Sequence, residues 1–372
     1  MAKVKRGSRV KKGLKFFIYG QEGTWKSSMA AELLKMKNEE GNPMRVAYID
    51  CETGSIDNYL DDLEDEGVDL DNLLLIYTSS YAEVEEWANK IMNNEEIEIE
   101  DEEGNFEEVL DAEGNPFKAD AIVIDGITVI TDNVKYAAIG VSEKRAKLKA
   151  QAQDKTATEQ FVASSTAGLE FKDFDKINMK GKNLLRNLVT GTDKYVVVTA
   201  REKQKKEMQK VDGQMTMVNL GVIPDTWKGA EYEFFTVLRN FEDEDGSIKS
   251  KVVRKDRTKV FGRNDIIEEP SLMMWQSVID GNKGKKSSAS YSMGKNEESI
   301  TKDEDSLDEG LNANVANMGV EGLKKEIKEK IGKLDAKGKK EAQENIKKFG
   351  LEVDFNKINS ADDLKKFLKV IG

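Results

Sequence analysis

The sequence predicts an α/β fold, a central and mostly parallel sheet flanked by helices. Short, continuously apolar runs recur and close on a polar residue: Phe16–Tyr19, Val46–Ile49, Leu73–Ile76, Ala121–Ile124 and Tyr195–Val198. Runs of this kind read as strands buried on both faces. Helical patterns lie between them, over Met29–Met36, Ile56–Leu63, Tyr81–Met92 and Phe174–Leu188. Strand and helix in alternation argue for parallel neighbours, because a parallel connection needs a crossover.

The first element carries the strongest chemistry. The run Phe16–Tyr19 passes into Gly20-Gln21-Glu22-Gly23-Thr24-Trp25-Lys26-Ser27-Ser28 and then into a helix. Gly20 to Ser27 has the length of the phosphate-binding loop G-x-x-x-x-G-K-[ST]. In such a loop backbone N–H groups cradle the β-phosphate of ATP. Lys26 would neutralise the β/γ-phosphates and the Ser27 hydroxyl would ligate Mg²⁺. Trp25 stands where a last glycine is usual. Either Gly20 and Gly23 suffice for the turn and Trp25 packs its indole outward, or the loop is distorted and turnover is slow. The presence of Lys26, Ser27, Glu52 and Asp125 favours the first.

The next strand, Arg45–Asp50, is expected beside the loop-bearing strand, and it ends in Asp50-Cys51-Glu52-Thr53-Gly54. Ligands of open α/β sheets bind at the carboxyl ends of strands. Glu52 is the candidate for orienting and deprotonating an attacking water; the alternative is a loop carboxylate capping the next helix. Residues 95–113 hold 11 acidic side chains and no basic one, with apolar residues in alternation, which predicts an acidic β-hairpin insertion over 95–118 that would repel nucleic acid. Ala121–Asp125 is an apolar strand closed by Asp125, a candidate ligand for Mg²⁺.

Farther on, the strand Tyr195–Ala200 runs into a basic segment with Arg201, Lys203, Lys205, Lys206 and Lys210, followed by a short hairpin about Gly213. The segment is either a phosphate-contacting surface for single-stranded DNA or a solvated helix face. Strands are expected over Tyr232–Asn240 and Ser247–Arg254, with Lys255 and Arg257 in the turn after them. Leu272–Ile279 closes the domain. The organisation is therefore a basic arm at 1–13, a core at 14–280, a linker at 281–319 and a helical module at 320–372. In the last, Leu323, Ile327, Ile331 and Leu334 begin one apolar face. Residues 321–372 carry 14 Lys against 10 acids, so this module binds nucleic acid or docks on protein.

Composition limits the chemistry. With one cysteine and no histidine in 372 residues, His-dependent triads, His-ligated metals and internal disulfides are excluded. The lone Cys51 suits a reducing, cytoplasmic setting. The net charge of −12 confines any nucleic-acid contact to local basic patches. No run of 18 apolar residues predicts a membrane span, and no apolar signal segment follows the basic start.

The order of these pieces is that of RecA-like P-loop NTPases. Within that group the phrases Tyr19-Gly20-x-Glu22-Gly23, Ile124-Asp125-Gly126-Ile127-Thr128, Val196-Val197-Val198-Thr199-Ala200-Arg201-Glu202, Pro224-x-x-Trp227-Lys228-Gly229 and Lys255-Asp256-Arg257-Thr258 resemble phage-encoded AAA-family ATPases related to Sak-type single-strand annealing proteins. The resemblance spans about residues 14–280. It implies that Glu52 is the catalytic glutamate and Asp125 the metal-coordinating aspartate. It also implies that Lys255 and Arg257 are cations sent into a neighbouring subunit's nucleotide, so that the active form is a ring or filament. From residues alone, that pair is equally a charged surface turn. Two other readings stay open. One is an ATP-gated scaffold that recruits a single-stranded-DNA-binding protein or recombinase. The other is a DnaB-like helicase motor, which the short stretch before the first strand disfavours.

Overall fold

A computed structural model describes residues 11–52, 54–100, 104–111, 114–211, 214–254 and 256–285, with parts of 323–370. The chain divides into two compact units, Met1–Tyr291 and Ser292–Gly372.

The larger unit is α/β. Its sheet contains β1 (Lys15–Gly20), β2 (Val46–Asp50), β3 (Leu73–Tyr77), β6 (Ala121–Asp125), β7 (Tyr195–Val211), β9 (Thr236–Glu242), β10 (Ile248–Val252) and β11 (Ile266–Ile267) in the order β11-β10-β9-β1-β7-β6-β2-β3. The six strands from β9 to β3 are parallel, and β10 and β11 add an antiparallel edge. This arrangement is compatible with a Rossmann-like or RecA-like core. The strand expected beside β1 is not there: β7 and β6 stand between β1 and β2. Order along the chain does not fix which parallel strands are neighbours, because a crossover is long enough to skip places.

Alternate residues of each strand feed two cores. Phe17, Tyr19, Ala47, Ile49, Ile122, Ile124, Val196 and Val198 pack on one face against α3 (Tyr81–Asn93), the start of α4 (Ile127–Ala152) and α6 (Phe171–Thr190). Phe16, Ile18, Val46, Tyr48, Ala121, Val123, Tyr195 and Val197 pack on the other. There they meet α1 (Lys26–Ala31), α2 (Leu60–Asp65) and the closing segment Leu272–Asp280, whose last five residues form α7 (Gln276–Asp280). The period of two is the pleat itself, and covering both faces is why the runs are apolar at every position. The helix expected over Met29–Met36 is the six-residue α1 followed by a 3₁₀ turn, Glu32–Lys35.

The acidic insertion is a two-stranded hairpin, β4 (Glu98–Glu100) with β5 (Phe106–Glu108); residues 101–103 and 112–113 of it lie outside the described residues. The basic segment after Ala200 is neither loop nor helix face. β7 continues as a strand to Val211 and pairs antiparallel with β8 (Gln214–Pro224), making a long ribbon in place of the short hairpin expected. The strands expected over 232–240 and 247–254 are trimmed to β9 and β10. Of the arm, residues 1–10 lie outside the described residues, as do Lys255 and residues 286–322.

The smaller unit buries Leu323, Ile327, Ala342, Ile346, Ile358, Leu364, Phe367 and Leu368 in one cluster. Its helices Ala336–Lys348 and Ala361–Val370 follow the apolar period, and Ser360 Oγ caps the second by accepting from Asp363 N at 3.3 Å. Leu334 lies outside the described residues. Among the described residues, no helix is long and apolar enough to cross a membrane.

Candidate functional site

The site lies at the carboxyl edge of the parallel strands, where β1, β2 and β6 end and β7 runs on beyond its parallel partners. β1 delivers Gly20 into a cramped place. A Cβ there would lie 2.3 Å from the Asn240 carbonyl oxygen, so only glycine fits. The loop then turns through two left-handed residues, Gly23 (φ 77°) and Trp25 (φ 57°, ψ 27°). Trp25 therefore takes the conformation that a glycine would hold more cheaply, at about 1–2 kcal/mol for an L-residue, and its indole points outward, 52% exposed. Thr24 Oγ1 donates to Gln21 O at 2.7 Å, and the buried Asn240 Nδ2 donates to Thr24 O at 2.8 Å. Gln21, Glu22 and Gly23 form the exposed tip. Lys26 folds back over it, Nζ donating to Gln21 O at 2.5 Å. Burial pushes the Lys26 amine down, against the opposing pull of Glu52 and Asp125.

Asp125 ends β6, fully buried, and accepts from three hydroxyl donors, which leaves one of its roughly four lone-pair sites free. Tyr48 OH donates to its Oδ2 at 2.9 Å, Ser55 Oγ to the same oxygen at 2.5 Å, and Thr199 Oγ1 to its Oδ1. The Tyr48 hydroxyl also lies 3.5 Å from the Ser27 carbonyl oxygen, so one phenol ties the loop's Lys-Ser step to Asp125. Burial and the Asp125 charge together hold the Tyr48 phenol well above its ordinary range.

Asp50, at the end of β2, accepts from the backbone N–H of Glu52, Gly54 and Ser55, each at 2.8 Å. It builds the turn that aims Ser55 at Asp125 and carries Glu52 to the surface. Glu52 packs against Gly126, where a Cβ would meet its Cγ at 2.3 Å. Its Oε1 accepts from Arg201 Nε at 2.9 Å. The single Cys51 is buried between these acids, and burial drives its thiol up, away from the reactive thiolate.

Lys26, Ser27, Glu52 and Asp125 thus converge, while Ser28 Oγ turns back to donate to Trp25 O at 3.2 Å. Arg257 does not join them. β10 returns antiparallel, so the turn after it reaches the opposite edge of the sheet. Arg257 N donates to Phe235 O at 3.1 Å, and Phe235 N to Lys15 O at 3.0 Å, at the start of β1. The six residues of β1, roughly 17 Å, separate that edge from the loop. The Arg257 guanidinium lies 5.0 Å above the Phe235 ring.

The five basic residues of the ribbon divide. Arg201 is held by Glu52, Lys203 by Asp225 at 2.6 Å and Lys205 by Glu207 at 2.8 Å. Lys206 and Lys210 have no acidic partner among the described residues. They share one face with Met208 and with Met217 and Met215 across the ladder, all three methionines more than half exposed.

Four participants escaped the sequence reading: Tyr48, Ser55, Thr199 and Asn240. Two had a signal, since Tyr48 and Thr199 are hydroxyls inside runs that are otherwise apolar. Among the described residues no three acidic or thiol groups cluster as a metal cage. Mg²⁺ needs none, because it keeps several waters and takes one or two protein oxygens beside substrate phosphates. Ser27 and Asp125 are donors of that type and number.

The architecture defines a mostly parallel α/β protein with a lysine-bearing loop and two carboxylates at the carboxyl edge of its sheet. Compared with known proteins, the chain matches no family model and no curated protein.

Proposed function

We propose that the chain is a RecA-like ATPase that acts on single-stranded DNA during recombination or annealing, in a phage-like setting. The observation that carries this reading is the convergence at one sheet edge of Lys26 and Ser27 with Asp125, through Tyr48, and with Glu52 beside Gly126.

In this reading the loop Gly20–Ser28 holds the phosphates of ATP. Lys26 leaves the Gln21 carbonyl for the β/γ-phosphate oxygens. Ser27 and Asp125 hold Mg²⁺, which neutralises phosphate charge when bound. The three hydroxyls on Asp125 fix its carboxylate so that it need not reorganise. Glu52 accepts the proton of the attacking water, and Arg201 fixes the direction of its carboxylate. Arg201 is then a positioning residue rather than a DNA contact. Lys206 and Lys210, on the exposed face of the ribbon, are the phosphate contacts for DNA. Arg257, too far from its own chain's loop, serves a neighbouring subunit.

Turnover of ATP by wild type, Lys26→Ala and Glu52→Gln, with and without single-stranded DNA, tests the reading. Wild type turns over faster with DNA and Lys26→Ala loses nucleotide binding. Glu52→Gln binds ATP but falls by about 10²–10⁴-fold in kcat. Wild-type turnover no faster than Glu52→Gln under both conditions sinks the enzyme reading. The exposed methionines of the ribbon would then favour an ATP-gated scaffold, since such surfaces adapt to protein partners.

A further inference from the structure

Two surfaces of the larger unit carry opposite chemistry at opposite ends of the sheet. The first is a groove of about 1110 Å³ between α4, α6 and the start of α3. It begins at Ser79, just past the carboxyl end of β3, where Asn133 Nδ2 donates to Ser79 O at 2.9 Å. Val134, Ala138, Val141 and Ile177 give it an apolar lining, and Lys176 and Lys180 stand one helical turn apart on its rim. Two other rim cations are already neutralised, Arg145 by Asp173 at 3.1 Å and Lys172 by Glu170 at 2.7 Å. Lys176 and Lys180 have no acidic partner among the described residues.

The second surface is the β4–β5 hairpin. It leaves the end of α3 and enters the start of β6, and Asp111 beyond it pairs at 3.1 Å with Arg45, which precedes β2. It therefore sits at the amino edge of the sheet, a strand's length from the groove. Glu98 lies directly opposite Glu108 on one face of the ladder. Like charges so placed repel and weaken the pair unless a cation comes between them. No cation among the described residues does so. Ile99, Phe106 and Leu110 are about half to two-thirds exposed around these acids. The hairpin thus carries exposed apolar side chains and uncompensated carboxylates, and the groove carries an apolar lining and uncompensated ammonium groups.

We propose that the β4–β5 hairpin of one copy docks in the α4–α6 groove of a second copy. Phe106 enters the apolar lining, and Glu98 and Glu108 pair with Lys176 and Lys180. Because hairpin and groove stand at opposite edges of one unit, a chain cannot satisfy itself, and the contact is head-to-tail. A heterologous contact of this kind propagates into a ring or a filament. It turns the edge that bears Arg257 towards the neighbour's edge that bears Gly20–Ser28. The contact itself stands on surface chemistry and does not depend on the nucleotide reading.

Sedimentation velocity of the full chain, without nucleotide and again with Mg-ATP, tests it. Wild type forms species larger than a dimer. Phe106→Ser with Leu110→Ser loses them, and so does Lys176→Glu with Lys180→Glu. An equimolar mixture of the two variants gives dimers and nothing larger, because only one intact hairpin can meet one intact groove. All four side chains are exposed, and an unchanged circular dichroism melt shows that each variant folds. If the hairpin variant fails to fold, Glu98→Lys with Glu108→Lys replaces it. Wild type that is monomeric in both conditions overturns the proposal. So does either folded variant assembling like wild type, or a mixture that stays monomeric. Loss of single-stranded DNA binding by the groove variant, with assembly intact, overturns it in favour of a nucleic-acid groove.

Discussion

Replacing Trp25 by glycine and, separately, by alanine isolates the loop's backbone from its side chain. Both variants remove the indole and whatever half-buried surface it covers, so that loss cancels in the comparison. What remains is the left-handed backbone at φ 57°, ψ 27°. Alanine held there costs about 1–2 kcal/mol. Glycine escapes that cost but gives the unfolded chain more freedom, worth about 0.4–1 kcal/mol in alanine's favour. The balance makes Trp25→Gly more stable than Trp25→Ala by about 0.5–1 kcal/mol, read from paired urea unfolding curves. At an ordinary right-handed or extended position the sign reverses, because only the unfolded-state term survives. Alanine at least as stable as glycine would therefore refute the left-handed assignment and the loop shape built on it. Under the nucleotide reading the same bias appears in binding. An alanine loop that relaxes when empty leaves a smaller competent fraction, and ATP affinity drops about 2–5-fold relative to the glycine variant.

Three further outcomes are expected. Gly126→Ala puts a Cβ 2.3 Å from Glu52 Cγ at a φ of 85°; under the proposed nucleotide reading, displacement of about 1 Å costs turnover about 10²-fold while ATP binding persists, seen by comparing kcat with equilibrium nucleotide binding. Asp256, buried beside the Arg257 turn, accepts from Thr236, Thr258, Val260, Phe261 and Trp275. Burial pushes its carboxyl up, but these donors outweigh it and hold it below its ordinary range. Asp256→Ala strands several of them and loses about 3–5 kcal/mol in chemical denaturation, with Asp256→Asn intermediate. Lys15 is buried with Nζ donating to the carbonyls of Leu188, Thr192 and Lys194, and burial brings its amine down to about 7. The unfolded chain then binds more protons than the folded one from about pH 7 up to the ordinary lysine range, so Lys15 makes stability rise with pH there. Lys15→Met flattens that rise, measured as unfolding free energy at pH 7 and pH 9; an unchanged slope would mean that the three carbonyls keep the amine charged.

Much of the fold was legible because burial on both faces leaves a mark in one dimension. Phe16–Tyr19, Val46–Ile49 and Ala121–Ile124 are apolar without a break, and each is a strand covered on both sides. Lys26, Ser27, Glu52 and Asp125 could be placed at one sheet edge for a related reason, since each lies at or shortly after the end of such a run. The ribbon was misjudged because Arg201–Lys210 lies beyond the core, where no apolar period separates a two-stranded ribbon from a helix face. The long ladder to Gln214–Pro224 is a pairing between segments, and a single segment does not display it.

The sequence by itself determined the α/β class, the positions of the parallel strands of the core and the placement of a lysine-bearing loop and two carboxylates after them. These follow from local polarity, periodicity and glycine placement. Tertiary structure decided the rest. It inserted β7 and β6 between β1 and β2 and gathered Tyr48, Ser55 and Thr199 around Asp125. It paired Glu52 with Arg201, and it carried Arg257 to the edge opposite the loop. Each of these depends on which strands become neighbours and in which direction they run. That outcome belongs to crossovers and packing over the whole sheet, and no residue's immediate neighbours in the chain encode it.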